Sequence, residues 1–459
     1  MNAATRPNFV FFLSDDQTKA DYGCYGLPLG LTPVTDKLAK ESLVFDQMFT
    51  AQAICAPSRS MLYTGQYPIR NGCFMNHIAV RNGTKTVFDA LKPLGYNVAL
   101  AGKVHVKPPS VFRWDRNMGS KGHTLLSFDD VDSYLSQVKG QPFCLFINSS
   151  FPHGPYPKNP KYPATKTVLH PHNKQVSGKF LAGYYDNIAT KEGELEQVLA
   201  MLEKHDLTEN SVFIYASDHG NGPRAKFTTY DTGLNVPFIV RWPGKVKPGR
   251  TDALASFVDV LPTFVDLAGG EPLDHLDGES FLPVLMGESQ EHQKTVFGLM
   301  TQQGVWNAHI FPSRTARGKR YRYIHNFNTM ERIRLDEQDG KDIDPFRRLG
   351  ASKHPNTPQE ELYDTHADPF EQQNLADDPD YTGIKANLKR ALFSWMEAQN
   401  DFLTEGGPIP FLESTHPLDV DSGDIRPEMK HVYDCPDELE GTVEIYMDPH
   451  ELTAASDKQ

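Results

Sequence analysis

The 459-residue sequence has no apolar run long enough to span a membrane. No basic-plus-apolar leader precedes Asn8, so as written the chain reads as unexported and cytoplasmic; a leader removed earlier would make it periplasmic. Cysteine is scarce. The five residues Cys24, Cys55, Cys73, Cys144 and Cys435 are scattered without Cys-x-x-Cys spacing, which argues against a disulfide framework or a zinc knuckle. A basic excess is also missing: the formal net charge is −13, and residues 404–459 alone hold 14 acidic against 3 basic side chains. The body is therefore near neutral and the tail acidic, so no nucleic-acid face is expected. An anionic substrate would have to be drawn by a local positive site rather than by the field of the whole molecule. There is no internal repeat and no low-complexity tract.

What is present is a globular composition, with 39% hydrophobic and 11% aromatic residues. The length exceeds one ordinary core and predicts a catalytic domain over 1–290, a smaller domain over 291–403 and an acidic extension over 404–459. Asn8-Phe-Val-Phe-Phe-Leu13 reads as a buried parallel strand that runs out into Ser14-Asp15-Asp16. Strands over 97–101, 143–147 and 211–216 run out into Gly102-Lys103-Val104-His105, Asn148 to His153, and Ser217-Asp218-His219-Gly220. Helical patterns over 32–41, 86–94, 179–203 and 256–267 alternate with the strands, as in a mostly parallel sheet covered by helices on both faces.

Open sheets of this kind place ligands beyond the C-terminal ends of their strands. Four strand ends rich in Asp, Lys and His therefore define one candidate site. From residue 295 onward, segments near 298–305, 315–317 and 321–327 predict an antiparallel sheet, followed by a helix near 381–402. The Pro- and His-rich stretch 152–172 is a candidate substrate lid, with His170 and His172 as candidate substrate contacts.

If Asp15, Asp16, Asp218 and His219 meet, the three carboxylates repel one another unless a cation lies among them, so a divalent metal is expected. Arg59, Lys103 and Lys226 would add positive charge. Cys55-Ala-Pro-Ser-Arg59 supplies a candidate reacting group: Pro57 suits the first turn of a helix and Gly65 its end. Cys55 then sits just before a helix N-terminus, where anions are favoured, with Arg59 about one turn on along the same face.

Cys-x-Pro-x-Arg followed by Ser-x-x-Tyr-Thr-Gly65 resembles the signature of the type I sulfatases, in which that cysteine is oxidised after translation to formylglycine (3-oxoalanine). The stretches Gly102–Val106, Ala316–Asn326 and Glu361–Leu375 are similar to the branch containing N-sulfoglucosamine sulfohydrolase. The resemblance implies an alkaline-phosphatase-like α/β fold, a smaller C-terminal α+β domain, and hydrolysis of an O-sulfate ester or an N-sulfate on a sugar or polysaccharide fragment. It also implies the roles. Residue 55 is the formylglycine hydrate and a metal ligand, and Arg59 orients it. Lys103 and His105 contact it and the sulfate, with His105 the base for sulfate elimination. His153 and Lys226 flank the leaving oxygen, one of them as general acid, and Asp15, Asp16, Asp218 and His219 hold the metal.

The usual sulfatase pair after the third strand is Asp-Asn, whereas here it is Asp218-His219. Calcium is the metal the family implies, but imidazole suits softer ions, so Mg2+ and Mn2+ stay open. A histidine there also occurs in related phosphonate monoester and phosphodiester hydrolases, which remain an alternative beside a catalytically silent sulfate-binding protein. The expected partners are a sulfated carbohydrate and a formylglycine-generating maturase, with neither nucleic acid nor membrane. Homo-oligomerisation is left open.

Overall fold

A computed structural model describes residues 6–76, 78–119, 125–222, 225–302, 310–341, 343, 348, 351–352 and 354–404. Its larger sheet contains β1 (Asn8–Asp15), β2 (Leu43–Phe49), β3 (Asn97–Gly102), β4 (Arg116–Met118), β5 (Phe143–Pro152), β6 (Ser211–Ser217), β7 (Asn235–Arg241), β8 (Gly249–Thr251) and β9 (Ala255–Ser256). The order is β4-β3-β5-β1-β6-β7-β2-β8, with β9 beside β2. From β4 to β6 every pairing is parallel, while β7 runs antiparallel to both β6 and β2.

β1 is central and fully buried because both faces are covered. Phe9, Phe11 and Leu13 enter one apolar cluster with Met61, Leu62 and Phe264. Val10 and Phe12 enter another with Leu195, Val198 and Leu202. This period-two split is why the run reads as continuously apolar in sequence. The first face is covered by helices Cys55–Thr64 and Val260–Leu267, the second by the long helix Gly178–Lys204. That long helix starts at Ser177, whose side chain accepts from the Phe180 amide, an N-cap of the ordinary kind.

The second sheet is antiparallel, in the order β10 (Val296–Gln302), β11 (Ile310–Arg317), β12 (Tyr321–Asn326), β13 (Glu360–Asp364). Helix Thr382–Ala398 packs on it and ends a turn before Phe402. Its Leu392, Trp395 and Met396, with Leu299, Tyr323 and Leu362 of the sheet, belong to the same apolar cluster as Phe9 and Phe11, so the core runs continuously between the two sheets. Helix Met330–Gln338 and strand β13 add to the sequence pattern. The lid candidate holds two short 3-10 turns, Ala164–Lys166 and Pro171–Asn173. Cys435 and nearly all of the acidic extension lie outside the described residues.

Candidate active site

Register brings the strand ends together. Gly102 of β3 lies opposite Asn148 of β5, Asn148 opposite Leu13 of β1, and Ser14 opposite Ser217 of β6. β3, β1 and β6 end near this level while β5 runs on to Pro152, so Lys103, Asp15-Asp16 and Asp218-His219 come to a common edge. Gly102 has φ 83°, and a Cβ there would lie 2.1 Å from the Asn148 carbonyl oxygen, so the turn that delivers Lys103 requires glycine. Asp16, His105 and Phe227 hold positive φ values of 63°, 47° and 65° without being glycine. Such strained positions gather where surrounding structure fixes a geometry for use.

Helix Cys55–Thr64 is buried along its whole length and closes on Gly65, whose φ is 64°. Cys55 is its first residue rather than the residue before it. The helix is tied to the sheet edge by Ser58, whose Oγ donates to the Asp218 carbonyl (2.7 Å) and accepts from Thr50 Oγ1 (2.8 Å). Cys55 Sγ then lies 3.3 Å from His219 Nε2 and 3.7 Å from Asp15 Oδ1. One turn on, Arg59 donates through Nε to Asp218 Oδ2 at 3.0 Å, and its Nη2 stands 3.0 Å from the same oxygen and 3.6 Å from Asp15 Oδ1 as an ion pair. Lys103 Nζ reaches Asp15 Oδ2 at 2.6 Å. Asp16 Oδ2 takes Lys226 Nζ at 2.8 Å and faces His153 Nε2 at 3.6 Å, while its Oδ1 stands 3.0 Å from His219 Nδ1.

The charges are dense and dry. Burial pushes the Asp16 carboxyl up, but Lys226, His219 and His153 outweigh it and hold the group far below the usual carboxylate range. Burial, then the Lys226 ammonium, presses His153 down to about 3, leaving it a neutral imidazole at neutral pH. Asp218 is pushed up by burial and by Asp15, against His219 and Arg59. Burial works against the charged forms of Lys103 and His219, yet Asp15 raises the first, and Asp218 with Asp16 raises the second.

Asp15, Cys55, Asp218 and His219, all buried, each offer a ligand atom within 4.8 Å of the others. Two carboxylates, an imidazole and the residue-55 side chain fit a divalent cation, the ordinary way to offset acids crowded this closely. Asp16 stands outside this group of four, its carboxylate taken by Lys226 and His219. His105 lies two residues past Lys103, half-buried. His170 and His172 gather elsewhere: His170 Nε2 meets Asp21 Oδ1 at 3.3 Å, and both rings lie near-parallel to Phe370 at 5.4 and 5.5 Å.

Several supporting residues escape a sequence reading. Asn148 Nδ2 donates to the Lys103 carbonyl (2.7 Å) and to Tyr63 OH (2.8 Å), linking a strand end to the cysteine helix. Asn76 Oδ1 accepts from the Ala56 amide at 3.3 Å. For Asn148 the signal was present, since it directly follows an apolar strand.

Comparison with known proteins follows the same lines. A family model described as Sulfatase matches residues 7–270, and one described as N-sulphoglucosamine sulphohydrolase, C-terminal, matches residues 222–346. The chain is 46% identical over 411 residues to an "Ulvan-active sulfatase" of Formosa agariphila, covering 87% of this chain and 82% of that one. Among solved structures, a 2-O GAG sulfatase superposes with a TM-score of 0.68 at 22% identity, over 87% of this chain and 94% of that one. A phosphonate monoester hydrolase from Silicibacter pomeroyi does so at 0.66 and 18%, over 86% and 96%. The fold is the alkaline-phosphatase-like one that the resemblance implied.

Proposed function

Because the chain belongs to the sulfatase family and is a sulfuric ester hydrolase, we propose that it hydrolyses an O-sulfate or N-sulfate of a sulfated sugar or polysaccharide fragment, using a formylglycine made from Cys55 by a maturase. The observation that carries this is the seating of Cys55 Sγ 3.3 Å from His219 Nε2 and 3.7 Å from Asp15 Oδ1, with Arg59 and Lys103 held on the same carboxylates. The relative's description as ulvan-active supports a polysaccharide rather than a small aryl ester.

Asp15, Asp218, His219 and residue 55 would hold the divalent ion, joined by Asp16 where its carboxylate turns from Lys226; the family's habit is Ca2+, and the nitrogen of His219 favours a softer ion such as Mn2+ over Mg2+. When bound, that ion polarises a sulfate oxygen and lowers the pKa of a hydroxyl on residue 55. The other roles belong to the chain. Arg59 fixes residue 55 and compensates Asp15 and Asp218, and Lys103 binds the sulfate. His105 takes the proton when sulfate is released. His153 Nδ1 stands 2.7 Å from the Gly154 carbonyl, so Nδ1 carries the hydrogen and Nε2 accepts from Lys226 at 3.3 Å. With His153 neutral, the proton for the leaving oxygen rests on Lys226, the general acid of this scheme. We also propose 1–290, 291–403 and 404–459 as the working division of the chain.

The test is twofold. Peptide mass across Cys55, from protein made with a maturase, should show the thiol replaced by an aldehyde, and the enzyme should release sulfate from sulfated oligosaccharides. An unmodified thiol in fully active enzyme refutes the nucleophile. His219 favours a second reading, phosphonate monoester or phosphodiester hydrolysis; side-by-side turnover of a sulfate ester and a phosphodiester separates the two.

A further inference from the structure

A cavity of about 450 Å³, the size of an ordinary small-molecule site, lies between the larger sheet and the second one. Lys19, Gln47, Asp231 and Arg317 line it, with Pro369 and Phe370 as apolar wall. It is separate from the cavity of about 390 Å³ at Lys226. Strand β11 carries Ser313 to the wall at Lys226 and Arg317 to this one, so about 13 Å of strand parts them.

Gln47 is 6% exposed, and its Oε1 has no hydrogen-bond partner. Buried amides are ordinarily paired, so an unpaired one on a cavity wall marks a place for a ligand. A bulge aims it there. Phe45 pairs with Phe238 and Met48 with Val236, so β2 uses one residue more than β7. Phe45 and Met48 then share one apolar cluster, while Asp46 and Gln47 come to the cavity wall.

The charges around the amide favour an anion. Lys19 Nζ donates to the Asp46 carbonyl and to Asn235 Oδ1 at 3.2 Å, both neutral oxygens, which leaves its third N–H. Arg317 gives Nε and one Nη2 hydrogen to Asp231 and one Nη1 hydrogen to the Gly318 carbonyl, so its guanidinium keeps two. The acids on the wall are already engaged, Asp46 by Arg250 and Asp231 by Arg317 and Arg322. Lys19 and these three arginines outnumber the carboxylates even with Glu371, the partner of Arg322, counted as charged. Thr18 and Thr365 give their hydroxyl hydrogens to the Asn221 and Arg320 carbonyls, at 3.0 and 2.9 Å.

We propose that this cavity is a second anion site, taking a carboxylate or sulfate carried on a sugar, with Gln47 and Lys19 as its donors and Arg317 as a further charge. It performs no chemistry, and on a polyanionic chain it holds a unit other than the one losing its sulfate. Pro369 and Phe370 give the ring an apolar surface, and Gln47 Oε1 accepts from a hydroxyl. That the anion rides on a sugar rests on the sulfatase reading; the positive cavity does not.

The experiment uses the full chain and follows acetylation of each lysine by peptide mass. Its probes are an unsulfated uronate tetrasaccharide, the methyl ester of that tetrasaccharide and inorganic sulfate. At about ten times its Kd the tetrasaccharide should slow acetylation of Lys19 about ten-fold. The ester, without charge, should bind about ten-fold more weakly. Gln47→Leu should keep the wild-type Tm, since Oε1 has no partner to lose, and weaken protection about ten-fold, the effect of one hydrogen bond to a charged group. Gln47→Glu keeps the shape, sets a negative charge against the ligand and should abolish protection. Absent protection of Lys19, equal protection by acid and ester, or unchanged affinity in both Gln47 variants overturns the anion site. Inorganic sulfate that protects Lys19 as strongly as the tetrasaccharide overturns the sugar as carrier. A mature enzyme that releases no sulfate overturns the sulfatase reading, while protection of Lys19 is decided by its own measurement.

Discussion

Cys55 must sit in a dry site among acids and also be reached by Arg59 from one turn along the same helix. Both demands are local, which is why this pair was legible in sequence: a cysteine, a proline two residues on and an arginine at i+4 write their geometry into ten residues. Asn76 and Ser58 were not legible, because their roles exist only once distant segments meet; Asn148 was marked by its place after an apolar strand, but its bond to Tyr63 was not. Cys55→Ala should abolish turnover while leaving Tm within a few degrees, since Sγ packs in a polar pocket; retained turnover would identify another nucleophile. Lys103→Ala should lower kcat/KM about 10²–10³-fold, as loss of one preorganised positive donor does. Lys226→Ala should cost about 10²–10⁴-fold on a sugar sulfate, whose alkoxide leaves badly, and much less on 4-nitrophenyl sulfate, whose phenoxide needs little protonation. A loss independent of leaving-group pKa would take the general-acid role from Lys226.

At the scale of elements, the apolar runs that become β1, β3, β5 and β6 read true because burial on both faces leaves no room for polar residues. Strand β13, Glu360-Glu-Leu-Tyr-Asp364, has neither an apolar run nor clean alternation, and only its pairing with β12 makes it a strand. Helix Met330–Gln338 is mostly charged and shows one buried apolar residue, Ile333, so no periodicity announced it. The long helix carries a hidden cost at Glu194, whose carboxyl burial raises to about 7 against the hydrogen bond from Ser149 and the charge of Lys191. An acid with a raised native pKa binds more protons folded than unfolded, so its contribution falls as pH rises from its unfolded value, near 4.5, toward 7. Glu194→Gln removes the titration. The variant should therefore gain on wild type by about 2 kcal/mol between pH 5 and pH 8, read from paired denaturant curves; a gain toward acid instead would reverse the assignment.

For the whole molecule, the two sheets are joined by charge as well as by a continuous core. Asp231, in a turn of the catalytic part, receives Arg322 Nε at 2.9 Å and Arg317 Nε at 3.3 Å, both arginines coming from the second sheet. Glu371 accepts the Asp231 amide at 2.7 Å and pairs with Arg322 at 2.9 Å. Burial raises the Asp231 carboxyl, yet Arg317 and Arg322 outweigh it and draw the group down to about 2. Tyr230, next in sequence, reaches Glu361 on β13, so the clamp that joins the sheets also fixes one wall of the cavity at Lys226. Arg322→Gln removes the charge shared by two buried carboxylates, Asp231 keeping Arg317, and stability should fall by about 3–5 kcal/mol, the cost of breaking one side of a buried ion pair. Because the apolar cluster passes from one sheet to the other, calorimetry should show this loss as a single transition moved to lower temperature. Two separated transitions would mean that the sheets melt independently and that the clamp, rather than the shared core, couples them.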